Sequence, residues 1–84
     1  MRPITLDPLA RRQIRALPEA EREEIGDALL ELADAENPTT VVDPYMPGGV
    51  GPLPFHGVLV TERTEAVVTF YVDHIRVVAV RPRS

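Results

Sequence analysis

The run from Val58 to Val80, VLVTERTEAVVTFYVDHIRVVAV, constrains the fold more than any other part of the chain. Val58 to Thr61, Ala66 to Val72 and Ile75 to Val80 are rich in β-branched and aromatic residues. Only Glu62 to Glu65 and Asp73-His74 separate them. Breaks this short leave room for hairpin connections and nothing longer, so the run predicts an antiparallel meander. Neither break carries Asn-Gly or Asp-Gly, and the turn types stay open.

Alternation in the middle strand puts Ala66, Val68, Phe70 and Val72 on one face and Val67, Thr69 and Tyr71 on the other. The last strand divides into Ile75, Val77 and Ala79 against Arg76, Val78 and Val80 by the same rule. Neither strand has a wholly polar face. Such a sheet needs a cover on each side, or one cover and a binding partner.

The cover comes earlier in the chain. Arg2 to Leu6 reads as a short strand that joins the sheet. Asp7 then stands as an N-cap with Pro8 at the first helical position. Leu9, Ala10, Ile14 and Leu17 recur at helical spacing, while Arg11, Arg12 and Arg15 face away and are expected to make ion pairs within the helix or with the acidic second helix, a nucleic-acid stripe being the alternative. Pro18 drives Leu17 out of the α region and ends the first helix. A second helix runs from Pro18 to about Glu36, with Glu19, Glu21, Glu23 and Glu24 near its positive pole and Ile25, Ala28, Leu29, Leu32 and Ala35 as its apolar stripe. Gly26 and Leu30 do not fit that stripe. A close approach of the first helix would explain the glycine, and a docked partner helix would explain the leucine. Asn37-Pro38 closes the helix, and Pro44 to Gly57, with four Pro and four Gly, is read as a connecting loop. It lacks the GxxxxGK[ST] pattern of a phosphate-binding loop.

The order is therefore β-α-α-β-β-β, a two-layer α+β fold in which a helical hairpin covers one face of an antiparallel sheet. The 84 residues make a single domain over 1–84. No cysteine is present, which removes disulfides and thiolate metal sites, and two His without a carboxylate at ligand spacing make no metal site; no cofactor is expected. The first residues lack the apolar core of a signal peptide and no stretch approaches a membrane span, so a soluble cytoplasmic protein is expected. Nine Arg, no Lys and thirteen acids leave a net charge of -4, which argues against a general nucleic-acid binder. The acidic excess lies within residues 1 to 36.

With those elements in place, the chain resembles the RelE/ParE superfamily, the small toxins of bacterial type II toxin–antitoxin systems. The residues that carry the resemblance are LDPLARRQIRALPEAEREEIGDALLELADAENP, similar to the family's helical hairpin with its Leu-Pro hinge and closing Pro, and IRVVAVRPR near the end. The resemblance implies a toxin neutralised by a cognate antitoxin that wraps it. It further implies either ribosome-dependent mRNA cleavage or inhibition of DNA gyrase. The family's third-strand Arg aligns with Val67, and Pro82 stands where cleaving members often carry His. Arg83 is retained.

Metal-independent RNA cleavage needs a base for the 2′-hydroxyl, cations for the charged transition state and an acid for the leaving oxygen. Arg83 and Arg81 are the candidates for phosphate charge, and His56 or Arg63 for assistance. Arg76 could add charge; Glu62, Glu65 and His74 could move protons, although His74 in a turn reads as exposed and inert. A basic end of the chain is also what a solvated tail looks like. Two readings from different classes follow: an mRNA interferase, or a non-catalytic interaction module of the same fold, either a gyrase-directed inhibitor or a degenerate toxin. An unrelated small α+β domain is the third.

Overall fold

The structure is a computed structural model and describes residues 2–44 and 55–83. Two helices, α1 (Pro8–Ala16) and α2 (Glu19–Asp34), lie on a five-stranded sheet of β1 (Ile4–Leu6), β2 (Asp43–Pro44), β3 (Phe55–Val60), β4 (Thr64–Phe70) and β5 (Ile75–Pro82). The strand order is β1-β5-β4-β3-β2. The expected meander is present as β3-β4-β5, antiparallel throughout. Two features depart from a purely antiparallel sheet with a plain connecting loop. β1 runs parallel to β5, because α1 carries the chain back across the helix layer before β5 is reached. Asp43–Pro44 forms a two-residue edge strand on β3, where Pro44 needs no ladder donor. The rest of the Pro/Gly-rich segment, 45–54, lies outside the described residues.

The core lies between the layers. Ala10 from α1, Leu17 from the hinge after it, and Ile25, Leu29 and Leu32 from α2 pack on Leu59, Ala66, Val68, Phe70, Ile75, Val77 and Val80. Phe55 and Phe70 meet with ring centroids 5.8 Å apart, a tilted pair at the β2 side of this layer. On β4 the expected inward set is correct for Ala66, Val68 and Phe70, but Val72 lies past the strand and is 88% exposed. On β5 the expectation for Ala79 fails. A bulge lets Val67 pair with Ala79 and Val68 with Val77, so Val78 is the extra residue and Val80, 1% exposed, takes the inward place. The Gln13 side-chain oxygen of α1 accepts the Val80 N–H at 2.7 Å and steadies the shifted register.

The helices end where the prolines demand, with Leu17 (ψ 147°) and Pro18 (ψ 153°) extended between them. Arg2 closes the other end of α2. Its backbone N–H donates to the Ala33 carbonyl at 3.0 Å and its guanidinium to the Ala35 carbonyl at 2.6 Å, which satisfies acceptors that the helix leaves open. Three expectations about the helices are corrected. Leu9 is exposed; α1 buries Ala10 instead. Gly26 is not approached by α1, since a Cβ built there meets nothing within 4 Å. Arg11, Arg12 and Arg15 take no part in the ion pairs found among the described residues.

Candidate functional site

The helices cover one face of the sheet. The other presents His56, Val58 and Val60 from β3, Glu65, Val67 and Thr69 from β4, and Arg76, Ala79 and Arg81 from β5, in cross-strand rows fixed by the register. One row runs His56, Thr69, Arg76; the next polar row runs Val60, Glu65, Arg81. Between them stands an apolar row of Val58, Val67 and Ala79, each partly exposed.

In the first row, His56 Nδ1 and Thr69 Oγ1 lie 3.0 Å apart, and Thr69 is buried. His56 therefore sits within a strand rather than before it. Arg76 donates from Nε to Asp7 Oδ1 at 2.5 Å. That contact explains why Asp7, although at the N-cap, caps nothing with its side chain: a charge-assisted bond to a guanidinium replaces the weaker bond to a helix N–H. The Asp7 carboxylate, and after it the Tyr71 hydroxyl, hold the Arg76 guanidinium charged beyond its ordinary range. Beyond Arg76, in the β4–β5 turn, the Tyr71 and His74 rings stack with centroids 4.6 Å apart and planes 9° from parallel. His74 also bonds Asp73 at 2.7 Å, which holds the Asp73 carboxyl below its usual range. His74 is partly rather than fully exposed, and it is bonded to its neighbour Asp73.

In the second row, Arg81 Nε donates to Glu65 Oε1 at 2.7 Å. Arg83 lies one step further out, its guanidinium donating to the Thr61 carbonyl at 2.7 Å and its N–H to the Arg63 carbonyl at 2.7 Å. Arg63 is exposed in the β3–β4 turn, and its N–H donates to Glu24 Oε1 at 2.9 Å. The Thr61 hydroxyl also bonds Glu24, and these two donors keep the Glu24 carboxyl ionised below its ordinary value. Arg81, Arg83 and Arg63 thus gather at the β3–β4 end of the sheet. His56 stands four residues along β4, roughly 13 Å away at ~3.3 Å per residue. The four residues singled out from sequence form two groups, not one.

The partners of these residues are what sequence reasoning missed. Thr69 opposite His56, Glu65 opposite Arg81 and Asp7 beside Arg76 follow from strand register, and the bulge hides that register from simple alternation. Among the described residues no cluster of His, Asp and Glu could hold a metal ion, and no helix is long and apolar enough to cross a membrane.

A helical hairpin laid on one side of a mixed five-stranded sheet is the RelE-like fold. The chain is similar to a chain of the intact Escherichia coli RelBE toxin–antitoxin complex, with a TM-score of 0.71 at 16% identity over 100% of this chain and 99% of that one. It is also similar to a chain of the RelBE2 toxin–antitoxin complex of Mycobacterium tuberculosis, with a TM-score of 0.65 at 18% identity over 98% of each. No protein-family model and no curated protein sequence matches the chain.

Proposed function

We propose that this chain is the toxin of a type II toxin–antitoxin pair, kept inactive by a cognate antitoxin that lies across the bare face of the sheet. The observation that carries this reading is the apolar strip of Val58, Val67 and Ala79, together with Val60, which is 41% exposed. An apolar strip on a sheet face that no other described element covers is a surface suited to another chain. The fold it shares with chains of two toxin–antitoxin complexes supports the same partner. At the end of β5, on the helix side of the sheet, a groove of about 330 Å³ lined by Leu17, Pro18, Val80, Arg81 and Pro82 gives a wrapping segment a place to extend.

The activity is ribosome-dependent cleavage of mRNA. Arg81, Arg83 and Arg63 bind phosphate at the β3–β4 end, and His56, bonded to Thr69, is the group able to take or give a proton. A second reading is favoured by one observation: Arg76, Arg81 and Arg83 already hold intramolecular acceptors. A surface whose cations are so engaged suits an interaction module, a gyrase-directed inhibitor or a degenerate toxin.

The test is expression of the chain alone and together with any small protein encoded beside it. The toxin reading expects a stable complex on co-purification, and growth arrest when the chain is induced alone. Cleaved transcripts then assign an interferase, intact transcripts with relaxed or broken DNA assign the gyrase branch, and no arrest assigns the degenerate one. If Arg81→Ala/Arg83→Ala leaves cleavage and arrest unchanged, those two residues have no part in the chemistry. Failure to co-purify counts against the toxin assignment itself.

A further inference from the structure

The β4–β5 turn carries chemistry that neither half of the reading above uses. Tyr71 comes directly after the end of β4, its N–H donating to the His74 carbonyl at 2.9 Å, and its ring lies parallel to that of His74 at offset-stacking distance. Neither ring is enclosed: Tyr71 is 36% exposed and the His74 side chain 32%. Arg76 stands next to them, its side chain 47% exposed, with Asp7 engaging Nε. With Asp7 on Nε and the Tyr71 hydroxyl also on the guanidinium, Arg76 keeps further N–H donors for phosphate oxygens. Arg76 is also the cross-strand neighbour of Thr69, and Thr69 of His56. An aromatic platform, a fixed cation and a hydroxyl–imidazole pair therefore follow one another across the sheet.

We propose that Tyr71, His74 and Arg76 form a nucleotide subsite, with one base of a single-stranded nucleic acid stacked on the Tyr71–His74 pair and its phosphate held by Arg76. Stacking on an aromatic ring is the means by which single-stranded chains are gripped without sequence choice, since every base offers a π face. Ordering by Asp7 and by the strand ladder sets the cation in place before the ligand arrives, so little side-chain freedom is lost on binding. The subsite rests on the reading that the bare face meets RNA. It adds a location and a ligand class to that reading, at the opposite end of the face from Arg81, Arg83 and Arg63. The net charge of -4 opposes any polyanion, so binding is weak, on the order of 10⁻⁴ M at physiological salt.

The test is titration of the free full chain with the RNA hexamer rA6, followed by NMR and by anisotropy of the labelled oligonucleotide. The largest shifts are expected at the Tyr71 and His74 rings and at the Arg76 side chain, and dA6 is expected to bind equally well, because neither the stack nor the guanidinium reads a 2′-hydroxyl. Tyr71→Ala is expected to weaken rA6 binding roughly 10-fold, about the size of one base–aromatic stack, while Tyr71→Phe retains it. Arg76→Gln should reduce the salt slope by about one. Shifts confined to the Arg81 and Arg83 end overturn the subsite, as does the absence of any shift with rA6 in millimolar excess, and both readouts use the wild-type chain and need no variant to fold. Retained binding at Tyr71 with intact transcripts on induction defeats the cleavage reading and leaves the subsite standing.

Discussion

Replacing Gly57 by Ala should destabilise the chain through one side chain, and a second substitution should undo part of the damage. A Cβ at position 57 would overlap Val42 Cγ2, and would stand 3.0 Å from Val42 Cβ and 3.3 Å from the Asp43 carbonyl oxygen. Non-bonded carbons rest at about 3.5 to 4.0 Å, so Val42 must retreat by roughly 1 Å. Val42 is 6% exposed and adjoins Asp43 and Pro44, which pair with Val58 and Gly57, so its retreat pulls on the ladder that holds β2. Overpacking of this kind costs about 1 to 3 kcal/mol. Loss of glycine's freedom in the unfolded chain offsets about 0.4 to 1 kcal/mol of it, leaving a net loss between about 0 and 2.6 kcal/mol, and at the centre of that range a melting temperature lower by roughly 5 to 10 °C. Val42→Ala alone removes two buried methyl groups and costs about 2 kcal/mol. In the double variant the overlap with Cγ2 is gone while the contacts to the residue 42 Cβ and the Asp43 oxygen remain. Gly57→Ala should then cost about 1 kcal/mol less than in the wild type, with the contacts at 3.0 and 3.3 Å still to be relieved. Urea titration followed by circular dichroism measures all four corners of the cycle. Additivity within about 0.5 kcal/mol would refute the argument, because it would place the cost of the added methyl group somewhere other than Val42.

Gly26→Ala should have the opposite sign: its Cβ enters open space in a helix interior, so stability rises by about 0.5 to 1 kcal/mol in the same titration. Ile25→Ala, one residue away but fully buried, should cost about 2 to 5 kcal/mol and can unfold the domain outright, which near-UV dichroism and gel filtration would reveal. Glu24 has its carboxyl lowered by the Thr61 hydroxyl and the Arg63 N–H, so its contribution is present above its ordinary value near 4.5 and is lost as pH falls through the lower, folded one. Melting curves between pH 7 and pH 3 should therefore show a steeper acid decline for the wild type than for Glu24→Gln. Glu65→Gln releases the part-buried partner of the exposed Arg81 and should change stability by less than about 1 kcal/mol while steepening the salt dependence of rA6 binding.

Much of the architecture is written in local pattern. Leu17-Pro18 and Asn37-Pro38 mark helix ends because proline acts on its immediate predecessor, and the strands from Thr64 to Pro82 show because β-branched residues recur between brief polar breaks. What local pattern does not carry is register. Val80 rather than Ala79 faces the core because of a bulge, and nothing in VVAV announces which residue is extra. The site suffers most from this. Arg81 finds Glu65, and Arg76 finds Asp7, across separations of 16 and 69 residues, so no spacing rule connects them. His56 is visible as a candidate by its chemistry alone; its partner Thr69 is not.

The parallel pairing of the first strand with the last has a kinetic meaning. Joining Asp7 to Arg76 closes a loop of 69 residues, whereas the two hairpins close over a handful. Loop-closure entropy makes the distant contact the slower one to form. The three-stranded meander should therefore assemble first and the β1 segment dock last, and in native-state hydrogen exchange the amides of Leu6 and Asp7 should open before those of Val68 and Phe70.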